Sequence, residues 1–149
     1  MVNFLNIGRR VNLILAGALL FCFLVLNQAA FASESCLEYE PKTVELTGNL
    51  IREIHPGPPN YEDISKGDRK ESIWVMLLDE AICVHPLDDL NPGEVDQKEV
   101  QLVLNREKYK KYKELVNRKV KVKGTMFHSF SGHHYRKLLI SVVNMERNA

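Results

Sequence analysis

Cysteine is scarce in this 149-residue chain, and the scarcity limits the kinds of disulfide, metal or redox site that the chain can form. Of the three cysteines, Cys22 lies in the apolar N-terminal segment, which leaves Cys36 and Cys83 for the remainder. These two do not form a C-x-x-C pair, so a metal-ligating or redox-active dithiol is disfavoured. An even number of cysteines is typical of a disulfide in an oxidising compartment. We therefore predict a Cys36–Cys83 disulfide.

Sequence signatures of hydrolytic enzymes are also lacking. The chain has no G-x-S-x-G, no H-E-x-x-H and no Cys-His signature. The paired carboxylates Asp88 and Asp89 follow Pro86 in a loop-like stretch, where acidic side chains usually serve only solvation. The sequence therefore favours a non-enzymatic protein with no cofactor, and an enzymatic role stays open as an alternative.

Net charge is nearly absent, at +1, but the charges are unevenly distributed along the chain. Residues 33–99 carry 6 Lys or Arg against 16 Asp or Glu, and residues 100–149 carry 12 against 3. The two portions can pack together so that their charges compensate. Alternatively, the basic portion presents a face that holds an acidic partner.

The longest apolar run is confined to the N-terminus and is short for a membrane span. Arg9 and Arg10 precede about 16 mostly apolar residues at 11–26, and Ala30-Phe31-Ala32 supplies a signal-peptidase site. A spanning helix needs about 20 apolar residues, so an uncleaved anchor is the alternative. We expect residues 1–32 to be a signal peptide cleaved after Ala32. The remaining domain, residues 33–149, would then act in the bacterial periplasm or be secreted, with no membrane span after cleavage.

Alternating apolar residues and turn residues predict a mainly β protein. Gly48 and Gly124 interrupt two strand patterns, as the bends of a barrel require. The continuous apolar run at 73–78 is expected to be buried on both sides. The five predicted strands cover 43–54, 73–78, 82–84, 119–127 and 137–145, with a turn at 79–81 and loops at 55–67 and 86–93. Residues 100–104 are expected to continue or rejoin the sheet ahead of the helix.

One short helix is predicted over residues 106–115. Asn105 occupies its N-cap position, and Asn117 can adopt the left-handed conformation that ends a helix. Tyr109, Tyr112 and Leu115 recur at helical spacing, so we expect this face to pack against the core rather than to point wholly to solvent.

The order of three strands, a helix and two strands is that of a small five-stranded Greek-key barrel of the oligonucleotide/oligosaccharide-binding (OB) type. We expect one such OB-like domain over residues 33–149. The alternative is an open α+β sheet with one helix across it.

The basic stretch at 106–123 contains nine Lys or Arg with Tyr109 and Tyr112 among them. In a cytoplasmic protein this composition would indicate single-stranded nucleic acid. Export makes a nucleic-acid partner unlikely, which leaves phospholipid headgroups, acidic glycans or an acidic protein as anionic partners. A solvated helix face is the simpler interpretation.

The strongest concentration of chemically versatile side chains lies between the last two strands, at His128, His133, His134 and Tyr135. If the histidine rings face each other across a turn, they could bind Zn²⁺ or Cu²⁺. No third ligand stands at a recognisable spacing, so we predict ligand binding without a metal. Adjacent strand residues face opposite ways, so we expect one of His133 and His134 to be structural and the other to be exposed. His55 is not expected to belong to this group.

Four stretches resemble the bacterial family catalogued as domain of unknown function 4431. They are Cys36–Pro41 (CLEYEP), Val44–Gly48 (VELTG), Gly124–Phe127 (GTMF) and His133–Tyr135 (HHY). The resemblance implies one small exported domain and implies no activity or ligand, since the family is uncharacterised.

Three functions are compatible with these features. The leading hypothesis is an exported, non-enzymatic binding module for an unknown small ligand or protein, with its site at His128–Tyr135. The second is a secreted inhibitor or immunity-type protein that blocks a partner enzyme through an exposed loop such as 55–70. The third is a metal-binding or enzymatic site on the His128–His134 hairpin.

Overall fold

The computed structural model describes residues 36–148. The predicted signal peptide and its cleavage site after Ala32 lie outside these residues. Five strands and one α-helix form the described fold. They are β1 (Thr43–Pro56), β2 (Lys70–Val84), β3 (Glu94–Val103), α1 (Arg106–Tyr112), β4 (Arg118–His128) and β5 (Leu138–Arg147), with 3₁₀ turns at Ile64–Lys66 and Lys113–Leu115.

The strands form a closed barrel in the order β1-β2-β3-β5-β4, with β1 also paired to β4. All neighbouring strands are antiparallel except β3 and β5, which run parallel. A parallel pair needs a crossover connection, which here contains α1 and β4. The predicted mainly β, five-stranded fold with one helix between strands 3 and 4 is therefore confirmed. The sheet closes on itself, unlike the open sheet considered as the alternative.

Two element boundaries were predicted wrongly, the end of β2 and the start of β3, which begins at Glu94 rather than at Val100. The turn expected at 79–81 and the separate short strand at 82–84 are both parts of the continuous strand β2. The pairing of β2 with β3 shifts register between Leu77 and Ile82, which is the irregularity of a β-bulge. Polar residues at a bulge can look like a turn because a bulge also bends the strand away from the regular ladder. The third strand, β3, therefore begins at Glu94 instead of within β2.

Gly48 and Gly124 lie where strands of the barrel approach each other most closely. A Cβ atom at Gly48 would lie 2.2 Å from the Leu77 carbonyl oxygen, and one at Gly124 would lie 2.3 Å from the Ser141 carbonyl oxygen. Both contacts are with backbone, so any side chain would force the strands apart. The register of β4 with β5 also shifts between Lys123 and Gly124. The prediction that these glycines mark barrel bends agrees with these contacts.

The barrel interior is filled by alternating side chains from all five strands. The largest fully buried members include Leu50, Met76, Leu102, Met126 and Ile140. Their burial follows from the two-residue period of strands, which places every second side chain inside.

The helix closes one side of this core. Asn105 caps it by accepting a hydrogen bond from the Lys108 amide, and Asn117 has a left-handed backbone with φ of 62°. Tyr112 is buried, and Tyr109 and Leu115 are partly buried against the core. These observations confirm the predicted cap, the left-handed residue and the packed helix face.

A disulfide joins Cys36 to Cys83, as predicted. Around it, the Leu37 amide donates to the Cys83 carbonyl at 2.8 Å, and the His85 amide donates to the Leu37 carbonyl at 2.8 Å. The bond and these backbone contacts hold the segment before β1 beside the end of β2. Between residues 36 and 148, no helix has the length and apolar character that crossing a membrane requires.

Acidic residues from the first portion of the chain pair with basic residues from the second. Lys119 lies 3.1 Å from Asp79, and Lys121 and Lys123 lie 3.5 and 3.7 Å from the carboxylate of Glu45. These contacts join β4 to strands β1 and β2. The charge asymmetry of the sequence is therefore at least partly neutralised within the fold, as the first of the two interpretations predicts.

Candidate functional site

The connection between β4 and β5, residues 129–137, lies over the outer face of the barrel, and we call it the strap. Ile73, Val75 and Leu139 show that this face is covered. Their neighbours Trp74, Met76 and Ile140 belong to the core cluster, so these three side chains point outwards, yet all three are buried. The apolar run at 73–78 is thus buried on both faces over part of its length, as predicted. The strap residues lie over the outer face of the sheet.

Gln101 of β3 anchors the middle of the strap. It is 5% exposed and pairs in the sheet with Val75 on one side and Leu139 on the other. Its Nε2 donates to the His133 carbonyl at 2.8 Å, and its Oε1 accepts from the Tyr135 amide at 2.7 Å. One side chain therefore satisfies both a carbonyl and an amide of the strap backbone. Because the His133 carbonyl and the Tyr135 N–H lose water on burial, removal of the Gln101 side chain would leave both without a hydrogen-bond partner.

Arg136 ties the end of the strap to two strands at once. Its Nε donates to Glu99 of β3, and its Nη2 donates to both carboxylate oxygens of Glu53 in β1, at 2.7 and 2.9 Å. Partial burial raises the pKa of Glu53, but its hydrogen bond with His55 and the Arg136 guanidinium outweigh this effect and lower the pKa below its ordinary value. The carboxylate is therefore held in its charged form. The fixed fork of the guanidinium suits such a two-acceptor arrangement better than an ammonium would.

His133 stands at the exposed edge of the strap. Its Nδ1 lies 2.6 Å from Glu71 Oε1, and its Nε2 lies 3.2 Å from the Tyr61 hydroxyl. The other oxygen of Glu71 accepts from the Tyr135 hydroxyl at 2.8 Å. Burial and the Glu71 carboxylate raise the pKa of Tyr135, so the phenol remains protonated. The side chain of His133 is nevertheless 54% exposed, so its ring remains accessible while its orientation is fixed.

His134 supports the tip of the strap from within. Its Nδ1 accepts a hydrogen bond from the Phe130 amide at 3.0 Å, so the ring must carry its proton on Nε2. Its ring meets those of Phe130 and Phe127 edge-on at 4.6 and 5.6 Å. Burial, with a smaller effect of His133, lowers the pKa of His134. The neutral imidazole is thus a structural acceptor, and the Phe130 ring that it supports is 81% exposed.

His128 ends β4 and contacts a different carboxylate. Its Nε2 lies 3.3 Å from Glu94 Oε1, and the other oxygen of Glu94 lies 3.2 Å from the ammonium of Lys137. Burial raises the pKa of Tyr39 to about 12, and the negative charge of Glu94 adds to this effect. The His128 amide is 3.4 Å from Asn91 Oδ1 in the connection between β2 and β3.

The connection between β1 and β2, residues 57–69, is also ordered by side-chain contacts. Asp68 is 5% exposed and accepts hydrogen bonds from the amides of Asn60, Glu62 and Asp63. These amides lower the pKa of Asp68. Tyr61 is held in a left-handed conformation with φ of 60°, which few non-glycine residues adopt. The Asp68 contacts therefore fix the loop that presents Tyr61 to His133.

The structure separates the predicted site residues. His133, His134 and Tyr135 lie on the strap, but His128 contacts Glu94 while His133 contacts Glu71. The predicted division between the two adjacent histidines fits the geometry, with His134 supporting the turn and His133 exposed. His55 was wrongly placed apart from this group, because its ring stacks on Tyr135 at 4.3 Å. In the register of β1 and β2, His55 pairs directly with Glu71.

Several contributing residues were not identified from the sequence. Each is polar and stands at an outward-facing strand position or in a loop, where a solvated side chain is the usual expectation. The sequence pattern that could have indicated them is the run at 73–78 of β2, which is apolar on both faces. An apolar outer face must be covered by another part of the chain, and polar residues must then anchor that covering segment. The residues are Glu53, Tyr61, Glu71, Glu99, Gln101 and Arg136.

Three grooves of about 310 to 470 Å³ lie among residues 36–148, and these three are lined by residues other than those at His128–Tyr135. Within residues 36–148, no group of three His, Cys, Asp or Glu side chains is arranged to hold a metal ion. The histidines contact carboxylates, a phenol and backbone groups instead.

The fold and site define a small closed β-barrel with an ordered strap over its outer face. Residues 99–146 match the family model described as Domain of unknown function (DUF4431), which confirms the predicted family resemblance. The match contains the stretches Gly124–Phe127 and His133–Tyr135, whereas Cys36–Pro41 and Val44–Gly48 lie outside it. It therefore includes the strap and its anchor Gln101 but excludes the strap's contacts on β1 and β2. No curated protein and no solved structure matches the chain.

Proposed function

We propose that this protein is an exported, non-enzymatic binding module whose partner is another protein. The observation that carries the proposal is an exposed aromatic side chain on an ordered strap. Phe130 is 81% exposed, and its backbone and ring are both held by His134. A side chain already fixed in one orientation loses little conformational freedom on binding, which favours affinity. Large aromatic residues are also enriched at the energetic centres of interfaces.

A second exposed apolar residue supports the same surface. Leu90 is 82% exposed in the connection between β2 and β3. The adjacent Asn91 contacts the His128 amide, two residues before Phe130. Asp88 fixes this connection by accepting hydrogen bonds from the amides of Leu90 and Asn91. Phe130 thus lies on the strap and Leu90 on a loop that contacts His128, the last residue of β4, and His133 adds a polar group on the strap.

The class of fold gives a supporting analogy. A five-stranded barrel with a helix between strands 3 and 4 resembles the OB class, in which the β2–β3 face and the loops after β1 and β4 hold ligands. Here those two loops meet at Tyr61 and His133. Because the strap covers the outer sheet face, a ligand would meet the strap and the exposed ring of Phe130 first. An exposed apolar side chain on an ordered surface suits a protein partner, because aromatic residues anchor protein interfaces.

Two features of the chain support the proposed compartment. The leader-like residues 1–32 would direct export, and the Cys36–Cys83 disulfide suits an oxidising environment. The periplasm of a bacterium is the compartment that we propose. A secreted inhibitor or immunity-type protein is a narrower form of the same proposal, supported by the rigid loop that Asp68 organises. The two differ in whether the bound protein is an enzyme that loses activity.

Site-specific cross-linking tests the proposal. A photo-reactive residue at exposed Ser131 should give one discrete adduct in the native compartment. Phe130→Ala should abolish the adduct without lowering thermal stability, because its ring is largely in solvent. The matched control is Val143→Ala, which removes another exposed apolar side chain on β5 and should leave the adduct unchanged. An adduct that survives Phe130→Ala, or none at all with correctly exported protein, would reject this surface.

A further inference from the structure

We propose that a cationic groove at the helix-capped mouth of the barrel binds a small organic anion. The groove has a volume of about 310 Å³ and is lined by Arg52, Trp74, Lys113, Val116 and Asn117. It is separate from the strap, because Arg52 and Glu53 are consecutive on β1 and therefore point to opposite faces of the sheet. Glu53 faces the strap, so Arg52 faces the barrel interior.

Arg52 lies on the inner face of β1 at its solvent-exposed end. Val44, Leu46 and Leu50 occupy the inward positions of β1 and belong to the core. Arg52 is the next inward position, at the point where the barrel opens. It pairs directly with Trp74 of β2, so the two side chains lie on the same side of the sheet. Both arginine side chains at this end, Arg52 and Arg118, are solvent-exposed, so their guanidinium groups are accessible to a ligand.

A second arginine stands at the equivalent place on β4. Val120 and Val122 are inward and buried, and Arg118 is the preceding inward position. Arg118 pairs with Leu50, which places it diagonally across from Arg52 on the neighbouring strand. Among the ion pairs of residues 36–148, none involves Arg52 or Arg118. The outward lysines of β4, by contrast, are paired to Asp79 or Glu45.

The remaining lining residues add an apolar floor and further polar groups. Trp74 is backed by Tyr109, whose ring meets it edge-on at 4.9 Å, so the indole is held in place. The amide of Asn117 donates to the Leu50 carbonyl at 2.7 Å, which brings the turn after α1 against β1. Val116 and Lys113 line the same groove, and the Lys113 ammonium also lies 3.6 Å from the carboxylate of Glu114. The groove is therefore apolar at its floor and cationic at its rim.

This arrangement selects a particular ligand chemistry. Guanidinium groups bind phosphate and carboxylate through paired hydrogen bonds, and an ammonium adds a point charge. The volume accommodates one ring or a short chain beside the charged group. We therefore assign the groove to a phosphate or carboxylate carried on a small ring or chain. Such a group occurs on a soluble sugar phosphate and on a lipid headgroup, and the experiment below separates these sources.

The chain contains a built-in reporter of this groove. Trp74 is the single tryptophan of the sequence, so a change in intrinsic fluorescence reports occupancy directly. The protein would be titrated with glucose 6-phosphate, with glucose, and with phosphatidylcholine vesicles containing or lacking phosphatidic acid. The variant Arg52→Gln removes the central cation. The matched control Lys98→Gln also removes one positive charge, but from an exposed side chain on β3. Among acidic side chains, Lys98 contacts only Asp96.

Saturable quenching or enhancement by glucose 6-phosphate, with none by glucose, would support a soluble anion. A response only to vesicles containing phosphatidic acid would support the same site with a headgroup as its ligand. In either case Arg52→Gln should weaken binding by about tenfold or more, the usual effect of losing a charged hydrogen-bonding group, and Lys98→Gln should not. No response to any of these anions, or a response unchanged by Arg52→Gln, would overturn the assignment.

Discussion

The barrel interior and the strap are two layers on opposite sides of the same strands, and different interactions hold them. The interior contains apolar side chains from every strand, such as Leu50 and Ile140, which exclude water by close packing. The strap contacts its face of the sheet through polar anchors, above all Gln101 and Arg136. Strength in the first layer comes from buried area, and in the second from a few directional hydrogen bonds.

This difference indicates how the protein divides stability from presentation. Apolar packing tolerates similar shapes but does not specify the orientation of a surface loop. Directional bonds to Gln101, Glu53 and Glu71 fix the strap in one place while its tip, at Phe130, stays exposed. We therefore expect changes in the interior to reduce global stability, and changes at the strap anchors to act mainly on local order.

The largest effect should follow from a cavity in the interior. Leu50→Ala removes a fully buried side chain, and such substitutions cost about 2–5 kcal/mol in the free energy of unfolding. Urea-induced unfolding followed by tryptophan fluorescence would measure the loss. The control Leu87→Ala, at a side chain that is 59% exposed, should change stability by about 0.5 kcal/mol or less. Equal effects of the two would contradict the described core.

The disulfide should have the next largest effect. Replacing Cys36 and Cys83 by serine removes a bond between residues that are 47 positions apart in the sequence. Loss of such a native bond typically lowers the free energy of unfolding by about 2–4 kcal/mol. Unfolding midpoints of the oxidised protein and the double variant would give the difference. Because the bond acts through the unfolded chain, strap order in the native state should be retained. Two alkylatable thiols in folded, exported protein would disprove the bond.

Substitution of the strap anchor Gln101 should reduce global stability less than the two changes above but should disturb the local order of the strap more. Gln101→Ala leaves the Tyr135 amide and the His133 carbonyl without their partner, at a cost of about 1–3 kcal/mol. Chemical shifts of strap residues should change more than those of the barrel interior. Gln97→Ala on the same strand is the matched control, since the Gln97 side chain contacts only Glu94 and Val95. If both variants disturb the strap equally, Gln101 is not its anchor.

The smallest effect should be a loosening of the strap tip in acid. The pKa of His134 is lower in the folded protein than its ordinary value of 6.5, so the unfolded chain binds this proton more readily. Stability from this group is complete above about pH 6.5 and is lost as the pH falls below it. Protonation also removes the Nδ1 acceptor of the Phe130 amide.

His134→Asn provides the control for this pH dependence, since its side-chain oxygen can accept a hydrogen bond without titrating. The slope of stability against pH between 7 and 5 should be shallower in this variant than in the parent. Glu53, whose pKa is also lowered, contributes a loss in the same direction at lower pH. An identical slope in parent and variant would show that His134 does not titrate with folding.

The interior was predictable from the sequence and the strap contacts were not, for a physical reason. Alternation predicted strands over 43–54 and 119–127, and the fixed strand period then places Val44, Leu46 and Val122 in the core. The run at 73–78 also predicted burial on both faces of β2. Nothing local indicated what covers the outer face, because the hydrogen bonds of Gln101 reach 32 and 34 residues along the chain. The site histidines were found as a cluster, but their carboxylate partners depend on strand register.

The central claim is that the strap is an ordered layer that presents Phe130 and His133, rather than a mobile connection. Amide hydrogen exchange at Tyr135 tests it most directly, since that amide is bonded only through the Gln101 side chain. We expect the Tyr135 amide of the parent protein to exchange far more slowly than it would in an unstructured chain. In Gln101→Ala its exchange should return towards the unstructured rate, while the Leu102 amide in the interior remains protected. Fast exchange at Tyr135 in the parent protein would contradict the account.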